Sequence, residues 1–364
     1  MIIMSDKTRL CIMFGGNSTE YEVSLKSSFS VLENVDRDKY DIIKVGITRE
    51  GQMYIYGGDD AKILDNSWKD DRDNLKKALF STSYGDHAVY GVNSEGVLER
   101  VAVDVVFPVM HGAYSEDGRL QGMLDMCGVA YVGPGCASSA VCMDKAFTKM
   151  LLNNYGIPVA ACVYVTRSDV ECSFEGIKND VETSLGYPVF VKPANSGSSV
   201  GVSKAKNAEE LKTALEKAIM FDSKVLIEEA IVGREIEVAV LGNEKAVALT
   251  CGEIISDADF YDYDDKYNNG TSTYQIPASI KKSTWINLKR TAEGIFEYLD
   301  CKGLSRVDFF VCGDEEKIVF NEINTLPGFT SISLYPKMAI SSGYTYGGIV
   351  DKLVELAIQE RAGK

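Results

Sequence analysis

Two short runs carry residues whose types and spacing could hold a divalent cation: Arg306-Val307-Asp308 and Asn321-Glu322-Ile323-Asn324. In an extended chain residues i and i+2 face the same side, so Arg306 points with Asp308 and Glu322 with Asn324. If the runs are neighbouring strands of a hairpin turned at Gly313-Asp314-Glu315-Glu316, then Asp308, Glu322 and Asn324 converge as hard oxygen donors. Mg²⁺ prefers such donors and completes its shell with water and nucleotide phosphate. The same alternation also describes the charged face of an ordinary half-exposed hairpin, and spacing alone leaves both readings open.

A second signal is Asn195 to Gly201, a glycine-serine loop after Val189-Phe190-Val191-Lys192. Small residues let backbone N–H groups approach phosphate oxygens, and the buried strand delivers one lysine to the same place. Without the lysine the loop would read as a flexible hairpin tip. Two further runs, Gly15 to Glu20 and His111 to Gly118, lie at the carboxyl ends of predicted parallel strands, where open α/β sheets place ligands. Taken separately, Glu20 reads as a complement to a helix dipole and His111 as a satisfied, half-buried histidine.

The elements that must position these residues follow from hydrophobic periodicity. Arg9 to Phe14, Tyr40 to Thr48 and Val103 to Val109 read as buried strands, with helices at Glu22 to Leu32 and Asp117 to Cys127, which predicts a largely parallel sheet. After Gly133-Pro134-Gly135 a new unit opens with one helix from Ser138 to Tyr155, capped by Ser138 or Ser139. Strands follow at Val159 to Val165, Pro188 to Pro193, Val200 to Ala205 and Lys224 to Glu229, with an Asn207-capped helix from Ala208 to Met220. Strand, glycine-serine loop and strand form a hairpin, which excludes Walker A geometry. Glu235 to Leu241, Lys245 to Ile255, Ser305 to Cys312 and Lys317 to Asn324 are the last strands, and Ser283 to Leu299 and Tyr346 to Gln359 the last helices. Between them, Ser256 to Thr273 is a long polar, tyrosine-rich loop, a length that usually signals function or disorder.

Composition bounds the rest. With 364 residues the chain is long enough for two or three domains. A net charge of -15 argues against nonspecific binding to nucleic acid or an anionic membrane surface. Nine cysteines without paired CxxC spacing and no apolar export segment fit a reducing cytoplasm. No run approaches the roughly 20 apolar residues that span a bilayer. Only two histidines occur, so a histidine-rich metal site or a charge-relay hydrolase has little material.

In their order along the chain these runs resemble the D-alanine-D-alanine ligase family of ATP-grasp enzymes. The matching stretches are Gly15-Gly16-x-Ser18-x-Glu20-x-Glu22-Val23-Ser24, His111 to Gly118, Met143-Asp144-Lys145, Val191-Lys192-Pro193 with Gly197 to Gly201, Phe260 to Tyr267, Arg306 to Asp308, and Asn321 to Gly328. The resemblance covers essentially the whole chain. It implies an α/β protein with a Rossmann-like, pre-ATP-grasp domain (1–133), a central ATP-grasp lobe (134–227) and a C-terminal lobe (228–364) with a lid loop at about 256–273. It further implies that Lys145 and Lys192 hold nucleotide phosphates, that Ser199 and Lys266 also bind the nucleotide, that Glu228, Glu229 and Ile231 line the adenine pocket, and that Glu235 meets the ribose. Asp308, Glu322 and Asn324 would carry two Mg²⁺ ions, with Mn²⁺ a substitute. Glu20, Ser198 and Tyr267 would form a network closing the site, Glu20 taking the ammonium of the first D-alanine. Arg306 and the N–H of Gly328 would stabilise the tetrahedral oxyanion, and His111, Ser333 and Leu334 would meet substrate. A cytoplasmic homodimer acting on small molecules is the implied setting.

Within the family, dipeptide-forming members keep the lid tyrosine, here Tyr267, and D-serine-specific members tend to carry Arg where this chain has Leu334. Tyr267 thus points to an amine nucleophile and Leu334 to D-alanine as the second substrate, while the opening run with Tyr21 also resembles D-serine ligases of the vancomycin-resistance type. A catalytically silent nucleotide-binding relative is the other alternative, and retention of Arg306 argues against it. Ser115 stands where the family usually has glycine, which predicts a restricted turn, and Asn195-Ser196 replaces a more charged pair.

Overall fold

The computed structural model describes residues 7–93, 95–255 and 273–363. Three sheets organise them. The first has eight strands in the order Leu98–Ala102, Ala88–Val92, Leu75–Phe80, Met53–Tyr56, Tyr40–Ile47, Thr8–Gly15, Val105–Pro108, Ala130–Tyr131. Only its last four strands run parallel. The other four form an antiparallel meander, so the expected parallel sheet is half of the observed one. Short connections permit antiparallel neighbours, whereas parallel ones need a crossover.

The second sheet is antiparallel, ordered Ser203–Ala205, Val189–Pro193, Lys224–Glu229, Cys162–Thr166. Val189 pairs with Ala205 and Val191 with Ser203, so the glycine-serine loop does join a hairpin. Alternation splits its faces. Val189, Val191, Val225 and Ile227 pack against the helices Phe174–Ser184 and Ala208–Ala218 through Val181, Leu211 and Leu215. Lys192 and Glu228 are left on the opposite face.

The third sheet, Thr273–Gln275, Ala246–Ile255, Arg234–Gly242, Gly303–Cys312, Lys317–Asn324, is split in the same way. Ile236, Val238, Val307 and Phe309 pack on the helix Lys282–Tyr298. Glu237, Arg306 and Asp308, one residue out of phase, point away from it. The last helix, Tyr346–Ala362, buries Ile349, Val350 and Leu353 in one cluster with Leu10, Ile12 and Phe14, which ties the end of the chain to the first sheet.

The expected single helix from Ser138 to Tyr155 is two, Cys136–Met143 and Lys145–Asn154. Asp144 breaks it: its backbone is extended and its carboxylate accepts from the N–H groups of Ala146 and Phe147. The helix Arg167–Cys172, closed by a capping box of Thr166 and Asp169, was not foreseen. All nine cysteines are free thiols. Among the described residues no helix is long and apolar enough to cross a membrane. Lys266, Tyr267 and the rest of the expected lid, apart from Thr273, lie outside the described residues.

Candidate active site

On the third sheet Asp308 stands opposite Glu322 and Arg306 opposite Asn324, because a register shift between Asp308 and Phe309 brings these pairs face to face. Arg306 donates to both oxygens of Asp308, at 2.9 and 2.7 Å, and its Nε lies 3.0 Å from Glu237. Asn324 donates to Asp308 at 3.0 Å, which leaves its amide oxygen for another partner. Burial works against the Arg306 charge, but Asp308, Glu237 and Glu322 outweigh it and hold the guanidinium protonated well above its ordinary value.

On the second sheet Glu228 sits between two ammonium groups, Lys192 at 2.6 Å and Lys149 at 2.7 Å. Burial penalises the carboxylate, yet the two lysines hold it down at about 2. For Lys192, burial opposes the charge while Glu228, Glu322 and Glu235 raise its pKa above the usual lysine value. Lys145, first residue of its helix, donates to the Ser196 carbonyl at 2.7 Å and lies 3.7 Å from Glu322, bridging the two sheets. Glu229 accepts from the Ala161 N–H at 2.8 Å, and Ile231 is half-buried in the crossing from one sheet to the other.

The first sheet contributes Glu20, whose carboxylate accepts from Ser198 of the glycine-serine loop. Gly112 and Gly197 flank that carboxylate so closely that a Cβ on either would fall 2.5 or 2.7 Å from Oε2. Ser198 and Ser199 hold left-handed backbone, φ 48° and 59°, so the loop carries local strain of the kind that gathers at ligand sites. His111 is tied at both ring nitrogens: Nδ1 lies 2.9 Å from the Leu326 carbonyl and Nε2 3.0 Å from Ser27 Oγ, which also accepts from the Phe329 N–H. The carbonyl can only accept, so Nδ1 carries the proton, and burial lowers the pKa so that the ring stays neutral. Glu116 accepts from the N–H groups of Gly112 and Leu326, at 2.7 and 2.9 Å, while burial and Glu20 push its carboxyl up to about 8. His111 and Glu116 therefore strap the first domain to the loop that holds Gly328.

One cleft gathers Glu20, His111, Lys145, Ser198, Arg306, Glu322, Asn324, Gly328, Ser333 and Leu334 on its walls. Ser333 Oγ lies 3.0 Å from the Thr330 N–H, and Leu334 is buried at the start of the helix Leu334–Ser341. Asp308, hydrogen-bonded to Arg306, lies outside these walls, and so do Lys192, Glu228 and Glu229 on the second sheet, Ser199 in the glycine-serine loop, Ile231 in the crossing and Glu235 on the third sheet. A hard cation would find two carboxylates and an amide oxygen in Asp308, Glu322 and Asn324, a set that suits Mg²⁺. No third carboxylate, histidine or cysteine joins them as a metal-holding group among the described residues.

Family models for the D-ala D-ala ligase N-terminus and C-terminus match residues 9–134 and 151–355. The chain belongs to the D-alanine-D-alanine ligase family. A D-alanine-D-alanine ligase of Clostridium novyi is 47% identical over 97% of this chain and 98% of its own length. Among solved structures, the VanG D-Ala:D-Ser ligase from Enterococcus faecalis superposes with a TM-score of 0.87 at 39% identity, over 96% of this chain and 99% of that one. The D-alanine-D-alanine ligase from Coxiella burnetii gives 0.84 at 33%, over 98% and 96%. The fold is thus the ATP-grasp fold of this ligase family, preceded by an α/β domain.

Sequence reasoning missed Glu237, Lys149 and Glu116. Glu237 stands two residues after Glu235 and so shares its strand face; Lys149 stands four after Lys145 and so shares its helix face. Ser115, read as a restriction where the family has glycine, does not need left-handed backbone: Gly112 (φ 73°) and Tyr114 (φ 65°) take it instead.

Proposed function

We propose that the chain joins two D-alanines at the expense of ATP, through a D-alanyl phosphate, for peptidoglycan precursor synthesis in the cytoplasm. The observation that carries this reading is the hydrogen bond from Ser198 to Glu20, which brings the glycine-serine loop of one lobe to a carboxylate of another. Lys145, Arg306 and Glu322 line the same cleft.

A carboxylate is a poor acyl donor, so its oxygen takes the γ-phosphoryl group and ADP leaves. In this reading Glu20 holds the ammonium of the first D-alanine, and Lys145, Lys192 and the loop with Ser199 hold the triphosphate. Glu228, Glu229 and Ile231 line the adenine pocket, and Glu235 meets the ribose. Phosphoryl transfer of this type needs positioning and charge neutralisation, not covalent help from the protein. The amine of the second D-alanine then attacks the acyl phosphate. Arg306 and the Gly328 N–H stabilise the oxyanion, and inorganic phosphate departs as the peptide bond forms. Asp308, Glu322 and Asn324 would hold Mg²⁺, which when bound neutralises phosphate charge. Both oxygens of Asp308 now face Arg306, and Glu237 is the carboxylate able to keep the guanidinium when a cation takes Asp308.

Ser333 and Leu334 face the second substrate, where an apolar Leu334 favours a methyl group over a hydroxyl by about 1 to 3 kcal/mol. The likeness to a D-Ala:D-Ser ligase makes D-serine the competitor to exclude. Incubation with ATP, Mg²⁺, D-alanine and D-serine, followed by product mass, decides it. D-alanyl-D-alanine should dominate. A mixed dipeptide in excess would transfer the assignment to D-serine, and no ADP release with any D-amino acid pair would end the ligase reading.

A further inference from the structure

Glu228 and Lys149 are among the least exposed ionic side chains of the molecule, 4% and 3% accessible, and they form an ion pair at 2.7 Å. Lys192, on the neighbouring strand, shares the same carboxylate at 2.6 Å. The cluster therefore holds two ammonium groups against one carboxylate. Lys149 also lies over the Phe320 ring of the third sheet, at 5.9 Å from its centroid, and neither residue is among those that line the cleft. Lys192 is more accessible, at 16%.

We infer that Lys149 is a positioning residue, a resident counterion for Glu228 that frees Lys192 to leave this carboxylate and meet a nucleotide phosphate. The inference rests on the phosphate-binding role of Lys192 proposed above. Were Lys192 the only partner of Glu228, its departure would strand a buried carboxylate, and breaking a buried pair that way is strongly unfavourable. With Lys149 in place, a neutral buried pair stays behind when Lys192 moves. The surplus positive charge of the cluster then goes to the triphosphate. Lys149 touches no nucleotide in this account; it acts through Glu228.

Calorimetric titration of the full chain with ATP and Mg²⁺ tests this on the parent, Lys149→Met, Lys192→Met and the Lys149→Met/Lys192→Met double variant. Lys149→Met should raise the ATP Kd by roughly 10- to 100-fold, because Lys192 must then stay with Glu228. Lys149 acts only through Lys192 here, so the double variant should bind ATP within about fivefold of Lys192→Met alone. An unchanged Kd in Lys149→Met overturns the inference, and so do losses that add in the double variant, which would make Lys149 a structural prop or a direct nucleotide contact. If Lys149→Met does not fold, Lys149→Arg decides, since it keeps a counterion for Glu228: a Kd within about fivefold of the parent is expected, and a loss of about tenfold or more overturns the inference. Failure of the parent to bind ATP would instead strike the nucleotide reading itself, and a Lys192→Met variant with parental affinity would strike the role of Lys192.

Discussion

The third sheet sets one arginine, Arg306, beside the two carboxylates of Asp308 and Glu237, with Glu322 alongside; on the second, Lys192, joined by Lys149 from the helix Lys145–Asn154, flanks one carboxylate, Glu228. Both clusters sit on antiparallel sheets, each on the face that its helices leave open, and their imbalances are opposite. The carboxylate-rich cluster has a place for a cation and the lysine-rich one for an anion. A metal-nucleotide complex supplies both at once, and Lys145, within reach of Ser196 and Glu322, marks where the two meet. The difference teaches that each lobe is charge-incomplete alone, while a single metal-bearing anion between them would complete both.

The comparison breaks if the two clusters do the same job. Arg306→Ala should lower kcat by about 100- to 1000-fold, the usual loss on removing one oxyanion donor, while ATP affinity changes only a few-fold. Steady-state kinetics beside nucleotide titration checks it, and equal losses in both would reduce Arg306 to a nucleotide contact. Lys192→Met should do the reverse, costing roughly 1.5 to 3 kcal/mol of ATP binding, about 10- to 150-fold in Kd. Thermal stability should change little, since Glu228 keeps Lys149. A large fall in Tm with intact ATP binding would contradict that division.

The smallest effect sharpens the strap between the lobes. His111→Leu leaves the Leu326 carbonyl and Ser27 without their partner and should cost roughly 1 to 3 kcal/mol at pH 7.5. The folded pKa of His111 is lowered by burial, so its contribution is present above the unfolded value near 6.5 and is lost as pH falls towards the folded one. Denaturant melts should therefore show the gap between parent and variant narrowing below about pH 6.5, by up to about 1.4 kcal/mol per pH unit. A constant gap would mean that His111 takes up protons alike in both states.

Legibility followed local pattern. Lys317–Asn324 was readable to the residue, but its pairing with Arg306 and Asp308 was not: the register set by the turn alone would put Asp308 opposite Asn321, and a bulge beyond Phe309 moves it to Glu322. The meander of Met53–Tyr56 through Leu98–Ala102 escaped: its strands are short and half-exposed and carry little continuous apolar signal. The break at Asp144 escaped because an aspartate in a helical run is unremarkable until its carboxylate caps the next turn. Lys149 escaped for a tertiary reason: nothing local says that a lysine will be buried, and only the neighbouring sheet supplies Glu228. The lobes could be sketched from the chain; which charges face each other across them could not.

The central claim, that this cleft activates a carboxylate by phosphorylating it, is tested most directly with D-alanine labelled with ¹⁸O in its carboxyl group. With ATP and Mg²⁺, the account predicts that one labelled oxygen per turnover passes to inorganic phosphate as the dipeptide forms. Dipeptide formed with unlabelled phosphate, the displaced carboxyl oxygen appearing in water instead, would contradict it.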